Sequence, residues 1–179
     1  MSEILFTVLV AAVALERLAE LVVSKRNAAW SFERGGVETG QRHYLVMVVL
    51  HTGLLVGALA EVWLRRPEFL PALGYPMLAL VVASQALRWW CITTLGPRWN
   101  TRVIVVPGLP LVTGGPYRLT SHPNYVAVVV EGFALPLVHS AWITAVVFTV
   151  CNAVLLWVRL RVENAALAAA APARTATSS

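Results

Sequence analysis

Four apolar runs, each long enough to cross a bilayer, dominate this chain of 179 residues. They cover residues 4–23, 44–64, 70–87 and 141–158. A helix that spans the hydrocarbon core of a membrane needs about 20 mainly apolar residues. Inside lipid, a helix also satisfies its own backbone hydrogen bonds. The runs therefore predict an all-α integral membrane protein.

A fifth apolar segment, residues 125–138, is short for a membrane span. As a helix it would reach roughly 21 Å, against about 30 Å for the hydrocarbon core, so taken alone it fits a re-entrant or half-buried helix. However, eleven of the fourteen Lys and Arg residues fall in residues 24–43, in residues 88–124 or after residue 158. Five crossings put these regions on one side, which the positive-inside rule makes the cytoplasm. We therefore expect about five transmembrane helices.

The composition limits the function further. Only 13% of the residues are charged, compared with about 25% in soluble domains, which agrees with a membrane protein. The length suits one domain, so we expect a single membrane-embedded domain over residues 1–168. The positive-inside bias explains the net charge of +5 better than nucleic-acid binding does. All nine acidic residues are Glu, and no His or Cys stands at metal-ligand spacing, so we predict no metal site. Residues 169–179, rich in Ala, Thr and Ser, are predicted to form a disordered tail.

The segment between the third and fourth helices, residues 88–124, is too rich in Pro and Gly to be one long helix. These residues are Gly96, Pro97, Pro107, Gly108, Pro110, Gly114, Gly115, Pro116 and Pro123. Irregular backbone beside a membrane must pack on protein or line a cavity. We therefore predict a structured cytoplasmic connector that leads into the fourth helix at Pro123, since proline suits a first helical turn.

Two groups of charged residues lie on apolar helices. Glu16, Arg17 and Glu20 lie on the first helix, where three interpretations are open: a structural ion pair, a helix end near the headgroups, or a functional site. Arg159 and Glu163 are four residues apart and share one face of the last helix. Their spacing alone is compatible with either a surface ion pair or a functional site.

A series of short motifs runs from residue 111 to residue 163. Residues 111–125 read Leu-Val-Thr-Gly-Gly-Pro-Tyr-Arg-Leu-Thr-Ser-His-Pro-Asn-Tyr, and Glu131 and Arg159-x-x-x-Glu163 follow. Their order and spacing resemble the isoprenylcysteine carboxyl methyltransferase family, integral membrane enzymes that use S-adenosylmethionine. Earlier residues, among them Leu95-Gly96-x-x-Trp99, are similar to a bacterial subgroup of alkylpyrone and alkylresorcinol O-methyltransferases. Genes of that subgroup often neighbour type III polyketide synthases.

The resemblance implies a role for each matched residue. The cofactor-binding residues that it implies are Arg102, Leu111, Val112, Tyr117, His122, Tyr125 and Glu163. Arg159 would face the acceptor substrate. A phenol acceptor also needs a general base, for which His122 and Glu131 are the options. Family members often carry a second Glu where this chain has Asn164.

Together these features predict a membrane O-methyltransferase that uses S-adenosylmethionine on a lipid-like acceptor. The acceptor would be a phenol or enol of the alkylpyrone or alkylresorcinol type, or a prenylcysteine-like carboxylate. The enzyme would lie in the cell membrane (inner or plasma), with its active site facing the cytoplasm and a functional link to a type III polyketide synthase. Two alternatives stay open at this point: an NADPH-dependent membrane reductase of the sterol type, and a small carrier or assembly protein without enzymatic activity.

Overall fold

The computed structural model describes residues 1–170, and it confirms the all-α prediction. Five helices carry most of the chain: α1 (Glu3–Phe32), α2 (Gln41–Arg65), α3 (Pro71–Leu95), α4 (Pro123–Leu137) and α5 (Trp142–Ala170). Two short strands, β1 (Val37–Thr39) and β2 (Val103–Val105), and two 3₁₀ turns (Gly96–Arg98 and Gly115–Arg118) complete the described part.

Three segments in the described residues are long and apolar enough to cross a membrane: His43–Arg65, Pro71–Arg98 and Trp142–Ala169. They make the chain a membrane protein. Helix α1, with 30 residues, is about 45 Å long and therefore long enough to cross a membrane. It carries three charged residues near its middle, however, which are unusual in a membrane span. At 15 residues, α4 is shorter than an ordinary span. The expected number of five crossings therefore stays a prediction, although all five helices are present.

Two helices run well beyond the apolar runs that predict them. Helix α1 continues nine residues past residue 23, and α5 continues from residue 158 to Ala170. The sequence of both extensions lacks Pro and Gly, so nothing in them breaks a helix. The predicted tail begins at residue 169, but α5 includes residues 169 and 170. Residues 171–179 lie outside the described residues.

Consecutive helices run in opposite directions along the bundle. The contacts between their ends show this, because they fall at two opposite ends of the bundle. At one end, His139 in the α4–α5 turn donates from Nε2 to the backbone oxygen of Met1 at 3.1 Å. The Ser140 hydroxyl donates to the backbone oxygen of Glu68, which lies between α2 and α3, also at 3.1 Å. The apolar core, including Phe6 and Leu135, lies towards this end. We call it the closed end.

At the opposite end, the chain between α3 and α4 is fixed to α1 by side-chain hydrogen bonds. Ser24 donates to Asn100 Oδ1 at 2.7 Å, and Asn27 donates to the backbone oxygen of Trp99 at the same distance. Strand β2 in this connector pairs antiparallel with β1, with Val37 opposite Val105. The connector is thus structured, as the sequence predicts. The strands were not predicted, because three-residue strands leave little pattern.

Candidate functional site

A cavity of about 750 Å³ opens at the connector end of the bundle. Its wall comes from all five helices and from the connector. All seven residues that the resemblance implies for the cofactor line it, together with Arg159: Arg102, Leu111, Val112, Tyr117, His122, Tyr125, Arg159 and Glu163. Its volume falls within the range of about 300–1,000 Å³ that is common for small-molecule sites.

The polar centre of the cavity wall joins α4 to α5. The Tyr125 hydroxyl donates to Glu163 Oε2. His122 Nδ1 lies 3.6 Å from Glu163 Oε1, and His122 Nε2 lies 3.0 Å from Asn164 Oδ1. The rings of His122 and Tyr125 stack with centroids 5.5 Å apart. Because Pro123 starts α4, these two rings project from its first turn against the same stretch of α5.

The electrostatics of this centre favour a positive imidazole. The nearby Glu163 carboxylate holds the pKa of His122 above its ordinary value, although burial acts in the opposite direction. Across the cavity wall, burial raises the pKa of Tyr117, which therefore stays a neutral phenol. The centre thus combines one carboxylate, one imidazole and two neutral aromatic hydroxyls.

Arg159 is buried, with 6% of its surface exposed, and lies one turn before Glu163 on α5. It donates to the backbone oxygen of Thr101 at 2.9 Å, to Met47 Sδ at 3.2 Å and to the Tyr125 hydroxyl at 3.5 Å. These three hydrogen-bond partners are a backbone oxygen, a thioether sulfur and a hydroxyl, and none of them is a carboxylate. The cavity therefore has a buried cation whose charge is not neutralised by direct pairing, and this suits an anionic ligand oxygen.

Arg102 lies at the rim of the cavity. Its side chain is 42% exposed, its Nη1 lies 3.5 Å from Glu38 Oε2, and its guanidinium lies 5.2 Å from the ring centroid of Tyr44. Neither contact involves His122, Tyr125, Arg159 or Glu163. Arg102 can therefore reach a ligand at the cavity mouth, but it is not part of the polar centre.

Glu131 is not brought into this site. It is 4% exposed and is not among the residues that line the cavity. Its Oε2 lies 2.7 Å from Arg88 Nη2 and 3.4 Å from Arg17 Nη2. Two guanidinium groups occupy this carboxylate, so His122 is the better placed of the two predicted bases. A catalytic role for Glu131 stays a prediction without a contact to support it.

The charged residues of α1 join Glu131 in one buried network. Arg17 lies 2.9 Å from Glu20 Oε2 and 3.6 Å from Glu16 Oε2, and it donates to Gln85 Oε1 at 2.7 Å. Arg88 Nε lies 3.5 Å from Glu20 Oε1. The structural ion pair, one of the options that the sequence offers, is thus present as part of a cluster that links α1, α3 and α4. Arg17, Glu20 and Arg88 of this cluster also line the cavity.

Sequence reasoning missed several polar residues of the cavity wall. Thr101 offers a backbone oxygen to Arg159, a role that no side-chain pattern can reveal. Asn164 contacts His122 from the position where relatives often carry a second Glu. His51 and Asn152 also line the cavity. The sequence does place Asn152 on nearly the same helical stripe as Arg159, seven residues before it, but it assigns no role to Asn152.

Comparison with known proteins agrees with the motifs. The family model for "Isoprenylcysteine carboxyl methyltransferase (ICMT) family" matches residues 77–169, slightly more than half of the chain. The chain is also 37% identical over 164 residues to "Uncharacterized protein YpbQ" from Bacillus subtilis (strain 168). That alignment covers 91% of this chain and 96% of the relative. The relative's name gives no activity.

Proposed function

The chain belongs to the isoprenylcysteine carboxyl methyltransferase (ICMT) family, and from this premise we propose an S-adenosylmethionine-dependent O-methyltransferase with a lipid-like acceptor. Family membership points to a membrane methyltransferase. The cofactor, the methylated atom and the acceptor class are our proposal. The observation that carries it is the convergence of His122, Tyr125, Arg159 and Glu163 on the wall of one cavity.

The residues of the cavity wall fit S-adenosylmethionine, which supplies a methyl group activated by its sulfonium charge. The Glu163 carboxylate can accept from an amino group or a ribose hydroxyl. Tyr117 and Tyr125 present aromatic faces, which attract cations. Two buried polar atoms of the wall, Trp99 Nε1 and Asn124 Oδ1, have no hydrogen-bond partner in residues 1–170, and a polar ligand would give them one.

Arg159 is the residue that we assign to the acceptor. An unneutralised guanidinium favours the ionised form of a nearby phenol, enol or carboxyl group. Hydrogen bonds to Thr101 and Tyr125 hold it in place, so its charge is oriented before the acceptor binds. The neutral form of His122, which is populated above its raised pKa, can take a proton from a phenol at the same wall, directly or through water. Holding the two reactants in line can account for about 7–11 kcal/mol of the barrier in good cases.

The acceptor is proposed to be lipophilic because the cavity continues between membrane helices. Apolar side chains of α1 and α2 line this part: Ala14, Leu18, Leu21, Val48 and Leu55. An alkyl tail can lie along these side chains while the headgroup reaches Arg159. We favour an alkylpyrone or alkylresorcinol type of phenol or enol over a prenylcysteine-like carboxylate, with a type III polyketide synthase as the source. We place the site at the cytoplasmic face of the cell membrane, because the connector end holds most of the basic residues.

The test is methyl transfer from S-adenosylmethionine carrying a tritiated methyl group. Purified protein in detergent is incubated with a long-chain alkylresorcinol, an alkylpyrone or a farnesylcysteine analogue, and the organic extract is counted. We expect label in at least one lipid with the wild type, and its loss with Arg159→Ala. Consumption of NADPH with no methyl transfer would favour a reductase instead. Absence of label from every lipid, in protein shown to bind S-adenosylmethionine, would contradict the proposed acceptor class.

A further inference from the structure

The inner part of the cavity is polar although it lies between membrane helices. His51 and Asn152 line the cavity on α2 and α5, and we call these two residues the inner polar pair. Arg17, Glu20 and Arg88 line the cavity too, but they are ion-paired with one another. Asn152 lies two turns of α5 from Arg159, which is about 10 Å along the helix axis. Polar side chains inside a membrane are costly, and they usually mark a functional contact. The roles proposed for Arg159 and Glu163 do not require polar side chains in this inner part of the cavity.

Asn152 has an unmet hydrogen-bonding capacity. The residue is 2% exposed, and its Oδ1 has no hydrogen-bond partner in the described part of the chain. A buried polar group that has no hydrogen-bond partner destabilises the protein, and a ligand that supplies the partner removes this cost. The carboxamide carries both an acceptor and two donors, and it can turn about its last single bond to present either end to the cavity.

His51 presents an acceptor at the same depth. Its Nδ1 lies 2.9 Å from the backbone oxygen of Met47. Because a carbonyl oxygen only accepts, Nδ1 carries the hydrogen, and the neutral ring keeps Nε2 as an acceptor. The ring also packs edge-on against Phe148, one turn before Asn152, at a centroid distance of 5.3 Å. These contacts fix the ring before any ligand arrives.

Resting on the proposed function, we propose that the inner polar pair binds a second hydroxyl group of the lipid acceptor, one that is not methylated. A hydroxyl both donates and accepts, so it can donate to His51 Nε2 or Asn152 Oδ1 and accept from the Asn152 amide. Arg159 and the inner polar pair together then favour a headgroup with two oxygen-containing groups. A lipid with a single polar oxygen would satisfy Arg159 and leave the inner polar pair without a partner.

The experiment measures binding, so it does not depend on turnover. Two tritiated probe lipids with the same tail, meta-pentadecylphenol and pentadecylresorcinol, differ by one hydroxyl. Their dissociation constants are measured on detergent-solubilised wild type, Asn152→Leu and His51→Leu. The control is Cys151→Leu, which changes the exposed neighbour of Asn152 on α5. Cooperative thermal unfolding checks that each variant is folded.

We expect the wild type and Cys151→Leu to bind the resorcinol about tenfold more tightly than the phenol, as one good hydrogen bond would give. Asn152→Leu and His51→Leu should lose most of that preference and keep their affinity for the phenol. Equal binding of both lipids by the wild type, an unchanged preference in both variants, or binding of neither lipid would overturn the inference. Titration of S-adenosylmethionine into the same samples tests the proposed function separately.

Discussion

The Tyr125 hydroxyl donates to the Glu163 carboxylate, and this bond joins the first turn of α4 to α5 at the cavity wall. It also sets the order of the neighbouring groups. His122 lies one turn before Tyr125, and Arg159 lies one turn before Glu163. The bond therefore places the His122 imidazole next to the Glu163 carboxylate. The Arg159 guanidinium lies next to the Tyr125 hydroxyl. The Glu163 carboxylate suits an amino group or a ribose hydroxyl of the cofactor, and the Arg159 guanidinium suits an anionic acceptor.

Arg159→Ala should reduce turnover more than it reduces affinity for S-adenosylmethionine. The reason is that the guanidinium contacts Thr101, Met47 and Tyr125 rather than the Glu163 carboxylate directly. Loss of a charge that stabilises the reacting oxygen typically costs about 100-fold or more in rate. Rates of methyl transfer and calorimetric dissociation constants measure the two effects.

The matched control for this prediction is Arg161→Ala, two residues further along α5. Its guanidinium stacks on the exposed ring of Trp157, with 3.9 Å between the guanidinium carbon and the ring centroid. It should keep both turnover and affinity. A large loss of cofactor affinity in Arg159→Ala with unchanged turnover at saturation would place Arg159 at the cofactor instead.

Glu131→Gln should lower stability more than it lowers turnover per folded molecule. Its carboxylate sits between the guanidinium groups of Arg88 and Arg17. Removing one partner of a buried ion pair leaves an uncompensated charge, at a cost of about 3–5 kcal/mol. Thermal unfolding followed by tryptophan fluorescence measures the stability. The exposed Glu68→Gln is the control and should change little. Normal stability with lost turnover would instead make Glu131 the general base.

The stabilising contact between His122 and Glu163 should weaken as pH rises. The neighbouring carboxylate raises the pKa of His122 in the folded protein, so the folded state binds the proton more tightly than the unfolded state. The stabilisation is fully present below the unfolded histidine pKa of about 6.5 and is lost as pH rises through the higher folded pKa. His122→Gln should therefore cost most near about pH 6 and least near about pH 9.

Thermal unfolding midpoints of the wild type and His122→Gln across this pH range test the prediction. His43→Gln is the control, since His43 lies at the start of α2 and is not among the residues that line the cavity. The difference in unfolding midpoint between His43→Gln and the wild type should not decrease as pH rises. A difference for His122→Gln that is constant or grows with pH would contradict the assigned interaction.

Hydropathy was sufficient to predict the helices, because four of the five produce long apolar runs. The apolar run ends at residue 158, but the sequence already placed Arg159 and Glu163 on one face of the last helix, and α5 carries both. Hydropathy could not reveal that Arg88 pairs with Glu131, because 43 residues separate them in sequence. Glu131 consequently looked like a base in an apolar helix. The site residues on the connector and on α4 were predicted through the motif resemblance. The resemblance also suggested roles for Arg159 and Glu163 on α5, where spacing alone fitted a surface ion pair as well.

The most direct test of the account is the calorimetric titration of S-adenosylmethionine into purified, detergent-solubilised protein. NADPH serves as the control ligand. Glu163→Gln removes the charge at the cavity wall, and Glu33→Gln makes the same change on a side chain that is 73% exposed at the end of α1. The account predicts saturable binding by the wild type and Glu33→Gln, with at least tenfold weaker binding by Glu163→Gln. Equal binding by all three proteins, or binding of NADPH alone, would contradict it.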